Sequence, residues 1–135
     1  MVVLRSQHWE KMDRVYDVLI VGAGPAGSAA AYYLVKGGLD VLVLDKAEFP
    51  RHKTCGDGLT PRAVNVLRHM GLMEEVHSIG YRVKGIELHG QRGNTMVASI
   101  PKNTTYPDHM VIAPRFQLDD LLRRHAVDNL SLIHI

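Results

Sequence analysis

The hexapeptide Gly22-Ala23-Gly24-Pro25-Ala26-Gly27 constrains this chain more than any other stretch. It fits G-x-G-x-x-G, a weak pattern alone, and its flanks give it force. Before it, residues 15–21, VYDVLIV, form an apolar run rich in β-branched side chains, as a buried parallel strand requires. After it, residues 28–38, SAAAYYLVKGG, read as a helix with small residues at its start and Gly37-Gly38 to stop it. DVLVLD, residues 40–45, is a second apolar strand. Strand, glycine turn, helix and strand make one βαβ unit of ~30 residues with a right-handed crossover.

Each residue of the turn has a mechanical reason. Gly22 permits the tight turn, Gly24 lets a pyrophosphate approach the backbone, and Gly27 lets helix and strand pack closely. The helix N-terminus then offers free N–H groups and a positive dipole end to phosphate. Asp45 ends the second strand close to the ~20-residue spacing expected of a ribose-binding acid. An acid there accepts ribose hydroxyls and disfavours a 2′-phosphate, so NADP is not expected. The fingerprint alone does not separate NAD from FAD. The chain lacks the further βα repeats of a nicotinamide dehydrogenase, and it adds a loop at 52–64 and Arg115 in a P-R-x-x-L-D context.

That loop, HKTCGDGLTPRAV, holds the single cysteine, Cys55, beside Gly56, Asp57 and Gly58. Thr60 reads as an N-cap with Pro61 at N1, and Ala63, Val64, Leu67 and Met70 recur at helical spacing before Gly71. VKGIELHG and TMVASI read as a β-hairpin. Residues 111–127 read as an extended entry and a helix with Leu118, Leu121, Leu122 and Ala126 on one face. The bland readings are specific too. Arg115 could pair with Asp119 at i,i+4, Asp57 could cap the following turn, and Tyr32 and Tyr33 suit helix packing. Cys55 could be inert, whereas a reactive thiol would need an electropositive site that Arg51, Lys53 and Arg62 could supply.

Composition excludes other classes. The chain has 135 residues, with 16 basic and 14 acidic side chains and only two Phe and one Trp. Near-neutral charge and few aromatics give no nucleic-acid footprint. One cysteine cannot form an internal disulfide, the eight histidines show no metal-ligand spacing, and no metal is expected. No apolar run approaches the ~18 residues of a spanning helix. A reducing cytoplasmic compartment fits.

GAGPAGSAAAYYL, VLVLDKAEFPRHKTCGDGLTPRAVNVLRHMGL and IAPRFQLDDLL together resemble the N-terminal part of the geranylgeranyl reductase family. These are flavoproteins of the p-hydroxybenzoate hydroxylase-like FAD superfamily, and FPRxKxCGDGLTPRAV is most similar to actinobacterial members that reduce isoprenoid chains, including that of menaquinone. The resemblance implies that Gly22, Gly24, Pro25, Ala26 and Gly27 hold the FAD pyrophosphate. It implies that Asp45 binds the adenosine ribose with Lys46 bordering the adenine. It places Cys55, Gly56 and Gly58 near the flavin and gives Arg115 a contact to the cofactor. The implied activity is FAD-dependent reduction of C=C bonds in an isoprenoid such as a geranylgeranyl or menaquinone side chain. The electron donor is external and unidentified, and peripheral membrane contact by the full-length protein is implied. The alternatives are a monooxygenase or halogenase-like FAD enzyme, a truncated fragment without autonomous activity, and an NAD-dependent dehydrogenase.

The expected fold is therefore α/β: a Rossmann-like FAD-binding βαβ unit with an added hairpin or small sheet. It is truncated before the rest of the parallel sheet and the substrate domain. Residues 1–14 read as a polar lead-in and residues 15–129 as the N-terminal part of the dinucleotide-binding domain. LSLIHI, residues 130–135, matches one reading frame of a transposon-end sequence used in DNA library preparation and is expected to be an adapter-derived tail.

Overall fold

The computed structural model describes residues 15–102, 105–129 and 133–134. Its elements are β1 (Val18–Val21), α1 (Pro25–Lys36), β2 (Val41–Leu44), β3 (Gly58–Leu59), α2 (Pro61–His69), α3 (Met73–Ile79), β4 (Tyr81–Val83), β5 (Gly85–His89), β6 (Thr95–Ser99), β7 (Met110–Ile112), α4 (Arg115–Asn129) and β8 (Ile133–His134). The chain divides into two compact units, with breaks after Arg51 and after Leu118. The expected α/β class is what forms.

In the first unit β1 and β2 run parallel, Val18 opposite Val41 and Val21 opposite Leu44. β8 pairs parallel with the end of β2, giving the order β1-β2-β8. The core is Ala23, Ala31, Val41, Val43 and Ala126, with Val18, Ile20, Leu34, Val35 and Phe49 against it. The first strand is shorter than VYDVLIV suggested. Asp17 leaves the ladder, its carboxylate accepting the Asp40 N–H at 2.8 Å. The strand is also not buried on both sides, since Leu19 and Val21 are 58% and 80% exposed. Only the Val18 and Ile20 face meets the core, so alternation survives inside an apolar run. The helix begins at Pro25, three residues before the expected start, because proline's fixed φ suits N1 and Gly24 serves as N-cap. It stops where expected, with Gly37 as C-cap and Gly38 at φ +86°. Tyr32 stacks on His125 at 5.0 Å and packs as expected, whereas Tyr33, which meets Tyr32 edge-on, is 41% exposed.

In the second unit β3, β7 and β4 form an antiparallel sheet with β7 central. Thr60 caps α2, its hydroxyl accepting the Ala63 N–H at 3.4 Å, and Pro61 opens the helix as expected. The buried set is Val64, Leu67, Met70, Leu72, Val76, Val111, Ala113 and Leu118. Helix α3, strand β4 and the two-residue β3 were not read from the sequence. Each is short, and α3 has seven residues with no side-chain cap, so its acidic first turn of Glu74 and Glu75 was the only local signal. The hairpin β5–β6 forms as expected, Gly85 opposite Ser99 and His89 opposite Thr95, and every residue of β6 is exposed. Asp108 is held below the usual carboxylate range by its hydrogen bonds to His109 and Arg82, the latter at 3.1 Å from β4. Residues 130–132 and 135 of the expected tail lie outside the described residues.

Gly27 sits where a Cβ would run into the backbone carbonyl of Gly22 and the Ile20 side chain. Backbone atoms cannot turn aside as a flexible side chain can. Gly27→Ala is therefore expected to cost about 1–3 kcal/mol of unfolding free energy in urea titration, as overpacked cores do. Gly56→Ala, where a Cβ meets nothing within 4 Å, is expected to stay within about 0.5 kcal/mol of the parent chain. Equal effects at both positions would show that the close approach is unimportant.

Candidate functional site

The glycine turn in the first unit has the backbone geometry that an anion site uses. Gly22 takes φ +109°, a conformation that side chains with a Cβ rarely adopt, and its N–H donates to the Leu44 carbonyl at 2.6 Å. That bond pins the turn to the end of β2. Ser28 is buried and its hydroxyl donates to the Ala23 carbonyl at 2.9 Å. No side chain caps α1 and its first turn holds no acid. The first-turn N–H groups of Ala26 and Gly27, with Pro25 lacking one, thus carry the positive end of the helix dipole without an acidic partner on their own helix.

Asp45 does something the sequence reading did not assign. One carboxylate oxygen accepts the Ala23 N–H at 2.7 Å, and the other accepts the Ala47 N–H at 2.8 Å. The residue expected to face a ribose is thus also the clasp between β2 and the glycine turn. A carboxylate has about four accepting directions, so each oxygen keeps one for a hydroxyl. Lys46, next in the chain, is exposed.

Arg51 was not among the expected cofactor residues. Its side chain is mostly buried, with one guanidinium nitrogen 3.2 Å from a carboxylate oxygen of the fully buried Asp119 on α4. This is an ion pair by distance, and that nitrogen lacks the alignment of a hydrogen bond. The guanidinium carbon lies 4.7 Å from the centre of the Phe49 ring. Its other terminal nitrogen is 3.4 Å from the place a Cβ on Gly24 would take. The local signal was Phe-Pro-Arg six residues beyond Asp45, but the partner, 68 positions away, had none.

The second unit carries the cysteine loop. Cys55 is exposed. Its thiol is held below the ordinary range, first by a hydrogen bond from the Arg115 side chain and then by one from the Asp57 backbone. The cation beside the thiol is therefore Arg115, not Arg51, Lys53 or Arg62 as the sequence suggested. Asp57 takes φ +55°; its carbonyl accepts the Ala113 N–H at 2.9 Å and its carboxylate the Arg115 N–H at 3.2 Å. It caps α4, 58 positions away, and not the turn that follows it in sequence. Gly58 lies in β3 against Ile112 and Met110, while Gly56 is open. Cys55, Asp57, Gly58 and Arg115 thus form one local group, and Gly22, Gly24, Pro25, Ala26, Gly27, Asp45 and Arg51 another. Among the described residues no three metal-ligating side chains come together, and no helix is long and apolar enough to cross a membrane.

An uncapped glycine turn, an acid clasp with accepting directions to spare and a nearby guanidinium suit a dinucleotide. Comparison with known proteins agrees. The chain is 44% identical over 121 residues to menaquinone reductase of Mycobacterium tuberculosis, covering 87% of this chain and 28% of that protein. It is 35% identical over 119 residues to a 1H-pyrrole-2-carbonyl-[peptidyl-carrier protein] brominase of Pseudoalteromonas luteoviolacea, covering 84% and 27%. The solved structure of the flavin-dependent brominase Bmp2 superposes with a TM-score of 0.76 at 30% identity, covering 88% and 29%. The chain thus spans between a quarter and a third of the length of these relatives. A family model described as an FAD binding domain matches residues 15–132; the chain belongs to that family, and FAD is its cofactor.

Proposed function

We propose that this chain is the FAD-binding portion of a flavin-dependent reductase that saturates C=C bonds of an isoprenoid, the side chain of menaquinone being the first candidate. The observation that carries this reading is the match to menaquinone reductase, which is higher in identity than the match to the brominase. The sequence FPRHKTCGDGLTPRAV, the stretch that resembles isoprenoid reductases, lies within that match and is consistent with it.

Reduced FAD supplies hydride chemistry when bound. The residues of this chain bind and orient it. Gly22, Gly24, Pro25, Ala26 and Gly27 would receive the pyrophosphate on backbone N–H groups. Asp45 would accept ribose hydroxyls with the directions left after it holds Ala23 and Ala47, and Lys46 would border the adenine. Cys55, Gly56, Gly58 and Arg115 would lie toward the flavin end, with Arg115 donating from its planar fork. An isoprenoid substrate is long and apolar, so the working protein would meet a membrane surface peripherally from the cytoplasmic side.

The brominase likeness supports a second reading, an FAD enzyme that uses oxygen. The two separate cleanly. The protein made from its complete reading frame, given reduced FAD and menaquinone without oxygen, is expected to yield a product heavier by one H2 per bond reduced, seen by mass spectrometry. Turnover only with oxygen and halide would sink the reductase reading.

Two residue-level expectations accompany it. Asp45→Ala removes the clasp and leaves the Ala23 N–H without its acceptor, which costs about 1–3 kcal/mol. FAD affinity measured by flavin fluorescence is expected to fall at least about tenfold as the loop loosens. Cys55, with its thiol pKa lowered, keeps thiolate to lower pH than an ordinary cysteine of pKa ~8.5. Its iodoacetamide labelling is expected to be faster at pH 7 than in the urea-unfolded chain, and Arg115→Gln is expected to move the pH profile of labelling upward. Identical profiles would show that Arg115 does not act on the thiol.

A further inference from the structure

We propose that Arg51 is a phosphate-binding residue for the pyrophosphate of the bound dinucleotide and that Asp119 is the positioning residue that aims it; this rests on the FAD reading of the glycine turn. Gly24 has φ −71°, which any residue can adopt. Its lack of a side chain is therefore not demanded by the backbone. What occupies the neighbouring space is a guanidinium nitrogen, 3.4 Å from the missing Cβ. A cation has been brought to the positive end of a helix dipole whose first turn contains no acid. That is the unfavourable end for a cation. A pyrophosphate placed at the turn reverses the sign of the interaction, because both the helix end and the guanidinium then face an anion.

The support behind Arg51 is of the kind that fixes direction. Asp119 is fully buried and 3.2 Å from one terminal nitrogen, and Phe49 stacks beneath the guanidinium at 4.7 Å. The Asp119 contact holds one edge of the fork, while the other terminal nitrogen is the one beside Gly24. That second edge is the group that would donate to phosphate, and arginine's planar fork allows both edges to be used at once. A lysine would have one point charge to divide between Asp119 and the ligand.

The test separates phosphate recognition from simple support of the loop by comparing ADP with adenosine, which lacks phosphate. Titration calorimetry of the protein made from its complete reading frame is expected to show Arg51→Met weakening ADP and FAD at least about tenfold, as loss of a charged hydrogen bond does. Adenosine affinity stays within about twofold of the parent, since it makes no phosphate contact. Arg51→Lys is expected to recover part of the ADP loss, and Asp119→Asn to weaken ADP more than adenosine. Equal weakening of ADP and adenosine, or no weakening of either, overturns the proposal. Should the substituted chains fail to fold, NMR of the parent decides: the Arg51 guanidinium resonance shifts on adding ADP and not adenosine, and an unmoved resonance overturns the assignment. If the parent protein made from its complete reading frame takes up neither FAD nor ADP, the FAD reading of this glycine turn fails with it. Binding by the parent with no Arg51 response defeats Arg51 alone.

Discussion

Helix α1 leaves strand β1 through a contact that only glycine can make. At Gly27 the helix lies so close to the Gly22 carbonyl that a Cβ has no room, and the rest of the first unit follows from that approach. It brings Ala31 onto Val41 and Val43, with Ala126 of α4 completing the core. It also leaves the first-turn N–H groups of α1 facing outward from the end of the sheet. The positive φ of Gly22 and the bond from its N–H to Leu44 set the height of the turn relative to β2. Packing and the proposed anion binding would therefore share one cause: the same closeness that buries alanine against valine aims the helix dipole.

Asp45 shows how a residue proposed to bind ribose is itself held. Hydrogen bonds from Ala23 and Ala47 fix both carboxylate oxygens, so the acid is oriented before any ribose arrives, and orientation settled in advance lowers the entropy lost on binding. A longer acid would place its oxygens one methylene further out, away from the Ala23 N–H. The aspartate is thus matched to a dual duty, joining β2 to the turn and presenting its remaining accepting directions.

The sequence made legible whatever is coded over a few neighbouring residues. The βαβ unit, the Thr60-Pro61 helix start, the glycine stops at 37–38 and 71 and the β5–β6 hairpin all depend on local spacing, and all formed. Contacts between distant positions were opaque. Asp57 could be recognised as a capping carboxylate for the following turn, but nothing near it said that the N–H it accepts belongs to Arg115. Arg51 could be recognised as a cation beside the cysteine loop, yet its carboxylate lies on α4 and its second edge lies at Gly24. The thiol's cation was misjudged for the same reason, since Arg115 is 60 positions from Cys55 while Arg51, Lys53 and Arg62 are close in sequence only. The short elements α3, β3 and β4 escaped because a turn or two of helix, or two or three strand residues, carry too little periodicity to register.

The same 120 or so residues serve proteins named for reduction of menaquinone and for halogenation of a carrier-bound pyrrole. Under the proposed reading this stretch would do the same work in each: a glycine turn, an acid clasp and a helix dipole would act on phosphate and ribose, which are identical in both reactions. The choice between hydride delivery and oxygen chemistry depends on what meets the flavin from the other side, a matter of water exclusion and of substrate shape. On this division the cysteine loop is the part of the chain where a difference between reductase and halogenase would be written. Its exposed thiol and paired guanidinium are chemical groups that phosphate binding does not require.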